Sequence, residues 1–211
     1  SISLNEKIKP DILQKAFEKT LPCFPTFKAA IRKGFFWRYL EPNPNPAPMV
    51  ERDVKNPCMP MNLRSKHRYL IRMYYYENQI SFEVFHSLSD GLGALTFLKT
   101  VTAVYLRMQG VAVPNEEGVL DIDEEPKMSE MEDSYMKYAD SKVTPKRSQG
   151  SAYRVRGTKE PFYTLNIICG SMEARQLKAA AKKHGVTITE YMNAVLIYAL
   201  VENQKNAKTW K

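Results

Sequence analysis

The stretch Ile80-Ser81-Phe82-Glu83-Val84-Phe85-His86-Ser87-Leu88-Ser89-Asp90-Gly91-Leu92-Gly93-Ala94-Leu95 changes its apolar period halfway along, and that change decides the fold class. Ile80, Phe82, Val84 and His86 share parity, so a strand over Ile80 to Phe85 or His86 carries them on one face. From Leu92 the apolar positions are Leu92, Leu95, Leu98, Val101, Val104 and Tyr105, with Phe97 and Leu106 at the edges of the stripe, which is helical spacing. Ser89 or Asp90 can cap that helix. The junction sets an imidazole four residues before an Asp-Gly pair. Such a group supplies a base, a carboxylate that holds the local backbone, and a position with no side chain to obstruct a substrate. His86 ends an apolar row, where its ring is partly desolvated. The pattern points to proton abstraction in a buried channel. Two plainer readings compete: Asp90-Gly91 as a hairpin turn, and His86 as a core histidine satisfied by a backbone group. The helical period after Gly91 argues against the hairpin.

Outward from the junction, Tyr69 to Tyr76 reads as the preceding strand, with Glu77-Asn78-Gln79 as a short turn that makes the pair an antiparallel hairpin. Ile12, Leu13, Ala16, Phe17 and Leu21 mark a helix over Asp11 to Leu21, started by Pro10-Asp11. Phe35 to Leu40 reads as a strand, and Pro42-Asn43-Pro44-Asn45-Pro46-Ala47-Pro48 as a stiff extended surface connector. Asn115 to Asp133 is acidic and Lys137 to Lys159 mostly basic, so residues 115–160 read as a charged crossover with a short helix at Met128 to Tyr138. Tyr163 to Cys169 follows as a strand and Met172 to His184 as a helix ended by Gly185. Thr187-Ile188-Thr189-Glu190 fits a capping box opening a helix to about Glu202, whose Ala194 to Val201 run reads as its buried part. The resulting division is an N-terminal lobe over 1–114, the crossover over 115–160, and the start of a second, incomplete lobe over 161–211.

Composition bounds the rest. A chain of 211 residues with 44% hydrophobic and 11% aromatic residues buries a substantial core, as one large domain or two small lobes. No apolar run approaches the ~20 residues of a membrane span. Cys23, Cys58 and Cys169 have neither metal-ligand nor disulfide spacing, which points to a reduced, cytoplasmic protein. The net charge of +8 suits nucleic acid, anionic lipid or a phosphate-bearing cofactor. Tyr74-Tyr75-Tyr76 could stack bases, but strand packing explains it and no interleaved basic face accompanies it, so no nucleic-acid partner is expected. His67, in a basic run, reads as solvated, and His184 as sitting in the last turn of a helix. Walker, Rossmann and zinc spacings are absent.

His86-Ser87-Leu88-Ser89-Asp90-Gly91, followed by Leu92 to Leu98, resembles the HxxxDG signature of the chloramphenicol acetyltransferase-like acyltransferases, with the alcohol acetyltransferase branch the nearest in look. The helix near Leu13 to Phe17, Phe24-Pro25, the hairpin, and the later run Lys183-His184-Gly185-Val186-Thr187-Ile188-Thr189-Glu190-Tyr191 occur in the order such proteins show. The resemblance implies an α/β fold, a two-layer sandwich of mixed sheet with flanking helices. It implies His86 as the catalytic base that deprotonates an alcohol or amine as it attacks the thioester of an acyl-CoA, acetyl-CoA above all, with no permanently bound cofactor and no metal. It gives Asp90 a structural role paired with an arginine, and Gly91 the role of leaving room beside the channel. Family members are longer and place the site between two lobes, so a missing C-terminal lobe or homo-oligomerisation would complete this one. A condensation-type domain using carrier-bound thioesters and a non-catalytic module of the same fold are the alternatives.

Overall fold

The computed structural model describes residues 1–53, 59–61, 69–127, 129, 132, 137–139, 155, 160–161, 164 and 166–206. The chain divides into two compact units, Ser1–Lys142 and Val143–Lys211. The first has a mixed α/β architecture, and the second contributes two helices.

In the first unit, β1 (Ile2–Ser3), β4 (Glu51–Arg52), β5 (Ile71–Tyr76) and β6 (Gln79–Val84) form a sheet of order β1-β6-β5-β4. The β5–β6 and β1–β6 pairs are antiparallel and β4–β5 is parallel, so the sheet is mixed. The expected hairpin forms with Met73 opposite Phe82 and Tyr76 opposite Gln79, and its two-residue turn opens on Glu77 at φ 46°. Helices α1 (Pro10–Thr20) and α2 (Gly91–Arg107) pack against each other, and α2 packs against β1 and β6 of the sheet. Pro10 occupies the first helical position, where its missing N–H costs nothing. The Lys9 N–H donates to the Tyr105 hydroxyl at 3.0 Å and ties the start of α1 to the end of α2.

Phe97 is the centre of the core. It is fully buried, with the rings of Phe17, Phe24, Phe27 and Phe82 around it at centroid distances of 4.8–6.0 Å. This shifts the apolar stripe of α2 from its sequence assignment. Phe97, Val101, Val104 and Tyr105 face inward, whereas Leu92 is 72% exposed and Leu95 43%. Successive steps of three advance 300° rather than a full turn, so a stripe extrapolated that way drifts off the buried face.

A second sheet, β2 (Ala29–Lys33) with β3 (Arg38–Pro42), is an antiparallel hairpin joined by Gly34–Trp37. The sequence assigned Phe35 to Leu40 to a strand. Pairing of Lys33 with Arg38 instead makes Phe35, Phe36 and Trp37 the tip, and Ala29–Lys33 supplies a strand the apolar pattern did not show. The Pro42–Pro48 segment is pinned rather than a free connector. Asn43 is buried, the Tyr69 hydroxyl donates to Asn45 O at 2.9 Å, and the Val50 N–H donates to the Gln14 side chain at 2.7 Å. After α2 the chain packs back on that helix: the Leu120 N–H donates to Thr100 Oγ1 at 3.1 Å, and Ile122 packs against the core.

The second unit contains α3 (Ala174–Lys183) and α4 (Ile188–Asn206). Gly185, at φ 69°, ends α3 in a Schellman arrangement, with the Val186 N–H donating to Ala181 O and the Gly185 N–H to Lys182 O. The capping box forms as read: the Glu190 carboxylate accepts from the Thr187 N–H at 2.7 Å, and the Glu190 N–H donates to Thr187 Oγ1 at 3.2 Å. The run over 194–201 is not buried as expected. Val195, Leu196, Ile197 and Tyr198 are 47–67% exposed, because α3 packs against α4 and leaves this side bare. The expected strand over 163–169 is also absent among the described residues, with Ile168 97% exposed and no partner strand to complete its backbone hydrogen bonds. The short helix expected at Met128 to Tyr138 lies largely outside the described residues, as does His67. Among the described residues no helix is long and apolar enough to cross a membrane.

Candidate functional site

Strand β6 ends at Val84, two residues before the histidine. The Phe85 N–H still donates to Leu70 O at 2.8 Å, and a turn then closes through the Leu88 N–H to Phe85 O at 2.9 Å. His86 sits in that turn and is exposed, with no hydrogen-bond partner for its ring among the described residues. This corrects the partly desolvated histidine at the end of an apolar row: once pairing stops, strand parity no longer dictates where the side chain points. Leu88 is buried and pins the far side of the turn to the core.

Asp90 is the N-cap of α2. Its backbone is extended at φ −80°, ψ −177°, and its carboxylate accepts from the Gly93 N–H at 2.8 Å. The helix dipole adds to this bond, since a negative charge here faces the positive end of α2. The carboxylate therefore holds the local backbone, as the sequence suggested. Among the described residues Asp90 has no arginine partner. Arg72 is engaged elsewhere, 3.5 Å from the Glu83 carboxylate and hydrogen-bonded to the Tyr74 hydroxyl at 3.2 Å.

Gly91 is the first helical residue, and a Cβ there would meet nothing within 4 Å. Open space lies beside it. The tight glycine is Gly93, where a Cβ would run into the Ser89 hydroxyl and also approach Asp90 Oδ1 at 3.5 Å. Sequence reading gave no role to Gly93, because only the capped geometry brings Ser89 back over it.

Beside the cap lies a cavity of about 360 Å³. Three separate segments line it: Cys23 to Phe27 after α1; Ser89, Asp90, Leu92, Gly93 and Thr96 at the start of α2; and Leu120. Its walls combine the apolar surfaces of Phe24, Phe27, Leu92 and Leu120 with hydroxyl and carboxylate groups from Ser89, Asp90 and Thr96. A small molecule with an apolar body and a hydroxyl or amine head matches that lining. His86 is on the turn leading into the cavity wall and is not itself part of the lining. The contributions of Cys23 and Leu120 had no periodic signal, since they meet the motif only through the tertiary fold. A larger cavity of about 490 Å³, lined by Ser3 to Glu6, Tyr105 and Gln109, lies at the other end of α2, away from the motif.

Cys23 is half-buried, and its thiol donates to Ile122 O at 3.1 Å. Burial pushes its pKa up, and the carboxylates of Asp123 and Asp121 push it further. The group is thus a neutral thiol at neutral pH, suited to lining a cavity and unsuited to nucleophilic attack. Among the described residues no cluster of histidine, cysteine or carboxylate groups could hold a metal ion.

The chain matches no protein-family model and no curated protein. Among solved structures it is similar to the SgcC5 protein from Streptomyces globisporus, solved in complex with (R)-(-)-1-(2-naphthyl)-1,2-ethanediol and sucrose. The two are 13% identical with a TM-score of 0.42, and the match covers 54% of this chain. It spans 30% of the length of that structure.

Proposed function

We propose that the first unit is the motif-bearing lobe of a chloramphenicol acetyltransferase-like acyltransferase, which moves an acyl group from a CoA thioester to an alcohol or amine. The observation that carries the reading is the geometry of His86 to Gly91: an exposed imidazole on a pinned turn, directly before a helix capped by Asp90. In the proposed reaction the acceptor oxygen or nitrogen attacks the thioester carbonyl while His86 takes its proton. The C–S bond of the resulting tetrahedral adduct then breaks, and the protonated imidazole returns the proton to the leaving thiolate. Asp90 contributes by capping α2 immediately after the turn that presents His86, a positioning role. The cavity beside Asp90 is the proposed acceptor pocket, and the site would be closed by a second lobe or by another copy of the chain.

The test is acceptor-dependent release of CoA thiol from acetyl-CoA across alcohols and amines of increasing chain length. The reading predicts release that requires an acceptor and favours those whose apolar part fits about 360 Å³. Release that ignores the acceptor would replace the transferase reading with thioester hydrolysis, and no release from any thioester would leave a non-catalytic module of this fold. Release that occurs only with a carrier-bound thioester would select the condensation-type alternative.

A further inference from the structure

The β2–β3 hairpin ends in Gly34-Phe35-Phe36-Trp37, and its aromatic side chains have no place in the core. Phe35 is 84% exposed, Phe36 86% and Trp37 63%, although Phe35 and Phe36 pack edge to face at 4.7 Å. Tyr39 and Leu40 on β3 are 46% and 45% exposed. The base of the hairpin, by contrast, is fixed. Ala29 and Ala30 are buried, Ala30 bridges to Tyr69, and the Asn43 N–H donates to Lys28 O at 2.9 Å. An anchored base with three consecutive exposed aromatics at its tip is a projecting apolar element rather than a fraying loop. Single exposed apolar residues need no explanation, whereas a contiguous cluster marks a binding surface.

Charge around the tip selects its occupant. Residues 28–41 carry Lys28, Arg32, Lys33 and Arg38 against the single acid Glu41, which is hydrogen-bonded to Arg32. Lys33 and Arg38 face each other in register at the neck of the tip, so the aromatics emerge through a basic collar. Phe35 and Phe36 offer no hydrogen-bonding group, and Trp37 adds one indole N–H, the composition favoured at a bilayer interface. We propose that this tip inserts into the interface of an anionic lipid bilayer, with Phe35, Phe36 and Trp37 among the upper acyl chains and Lys33 and Arg38 at the headgroups. The proposal concerns a peripheral contact and stands independently of the acyltransferase reading.

Co-sedimentation of the full chain with vesicles of phosphatidylcholine, with and without phosphatidylglycerol, tests it. Trp37 fluorescence in a Trp210→Phe background provides a second readout. Binding is expected on the anionic vesicles, with a blue shift of Trp37 emission. Phe35→Ser/Phe36→Ser is expected to lower partitioning at least ten-fold without changing the circular dichroism spectrum, because both residues are exposed. Lys33→Gln/Arg38→Gln is expected to lower it about twenty-five-fold on anionic vesicles, from about five-fold per basic residue, with little effect on neutral ones. The proposal is overturned by no binding to either vesicle, by binding that the two Phe substitutions leave unchanged, or by a Trp37 shift seen with single-stranded oligonucleotides but not with vesicles.

Discussion

Replacing Phe97 with alanine removes the ring on which the first unit is centred. The side chain is fully buried and touches four other aromatic rings at 4.8–6.0 Å. Truncating a buried Phe costs about 3–5 kcal/mol, and the lost edge-to-face contacts place this site near the upper end. With a urea dependence of about 2 kcal/mol per M for a unit of this size, the unfolding midpoint should fall by roughly 2 M. Leu92→Ala is the control. It lies on the same helix at 72% exposure and should shift the midpoint by less than about 0.3 M. Urea titrations followed by circular dichroism measure both. Equal shifts, or a larger one for Leu92→Ala, would refute the rotational setting of α2 and with it the placement of the Asp90 cap.

Asp90→Ala should destabilise the first unit by about 1 kcal/mol through loss of the bond to the Gly93 N–H, while Asp90→Asn should recover most of that, both read from urea midpoints. In a Cys58→Ser protein, N-ethylmaleimide near neutral pH should modify exposed Cys169 well before Cys23, whose thiol is half-buried and has a raised pKa; mass spectrometry of tryptic peptides gives the order. At the start of α4 the Thr187 N–H, and then the Thr187 hydroxyl, hold the Glu190 carboxyl below its usual pKa. A lowered folded-state pKa means that this contribution is complete above the ordinary glutamate range. It is lost as pH falls through the lowered value. An NMR titration of the Glu190 side chain should therefore show a midpoint below the ordinary value, restored towards normal by Thr187→Ala.

Local signals with a one-to-one physical cause were readable from the chain. The capping box at Thr187, the left-handed stop at Gly185, the hairpin around Glu77 and the Asp90 cap each follow from a few adjacent residues, and each is present. What failed needed knowledge of distant partners. Phe97 sits at the core because Phe17, Phe24, Phe27 and Phe82 converge on it from three other segments, so its own helix gave no sign of its rank. Phe35 to Trp37 have strand-like composition, yet the pairing of Lys33 with Arg38 puts them at a turn. The motif was visible as a string, but not its geometry: the exposure of His86, the tightness at Gly93 and the cavity wall from Cys23 and Leu120 all arise from tertiary packing. The burial expected over 194–201 assumed that apolar residues in a helix are covered, and α3 does not cover them.

The central claim is that His86 is the base of an acyl transfer. Its most direct test is the rate of acceptor-dependent CoA release from acetyl-CoA by the unaltered protein and by His86→Ala, with urea unfolding of both confirming equal stability. Because His86 is exposed, the substitution should leave the midpoint unchanged while lowering the rate by at least about 100-fold, the usual contribution of a positioned general base. Equal rates in the two proteins at equal stability would contradict the account.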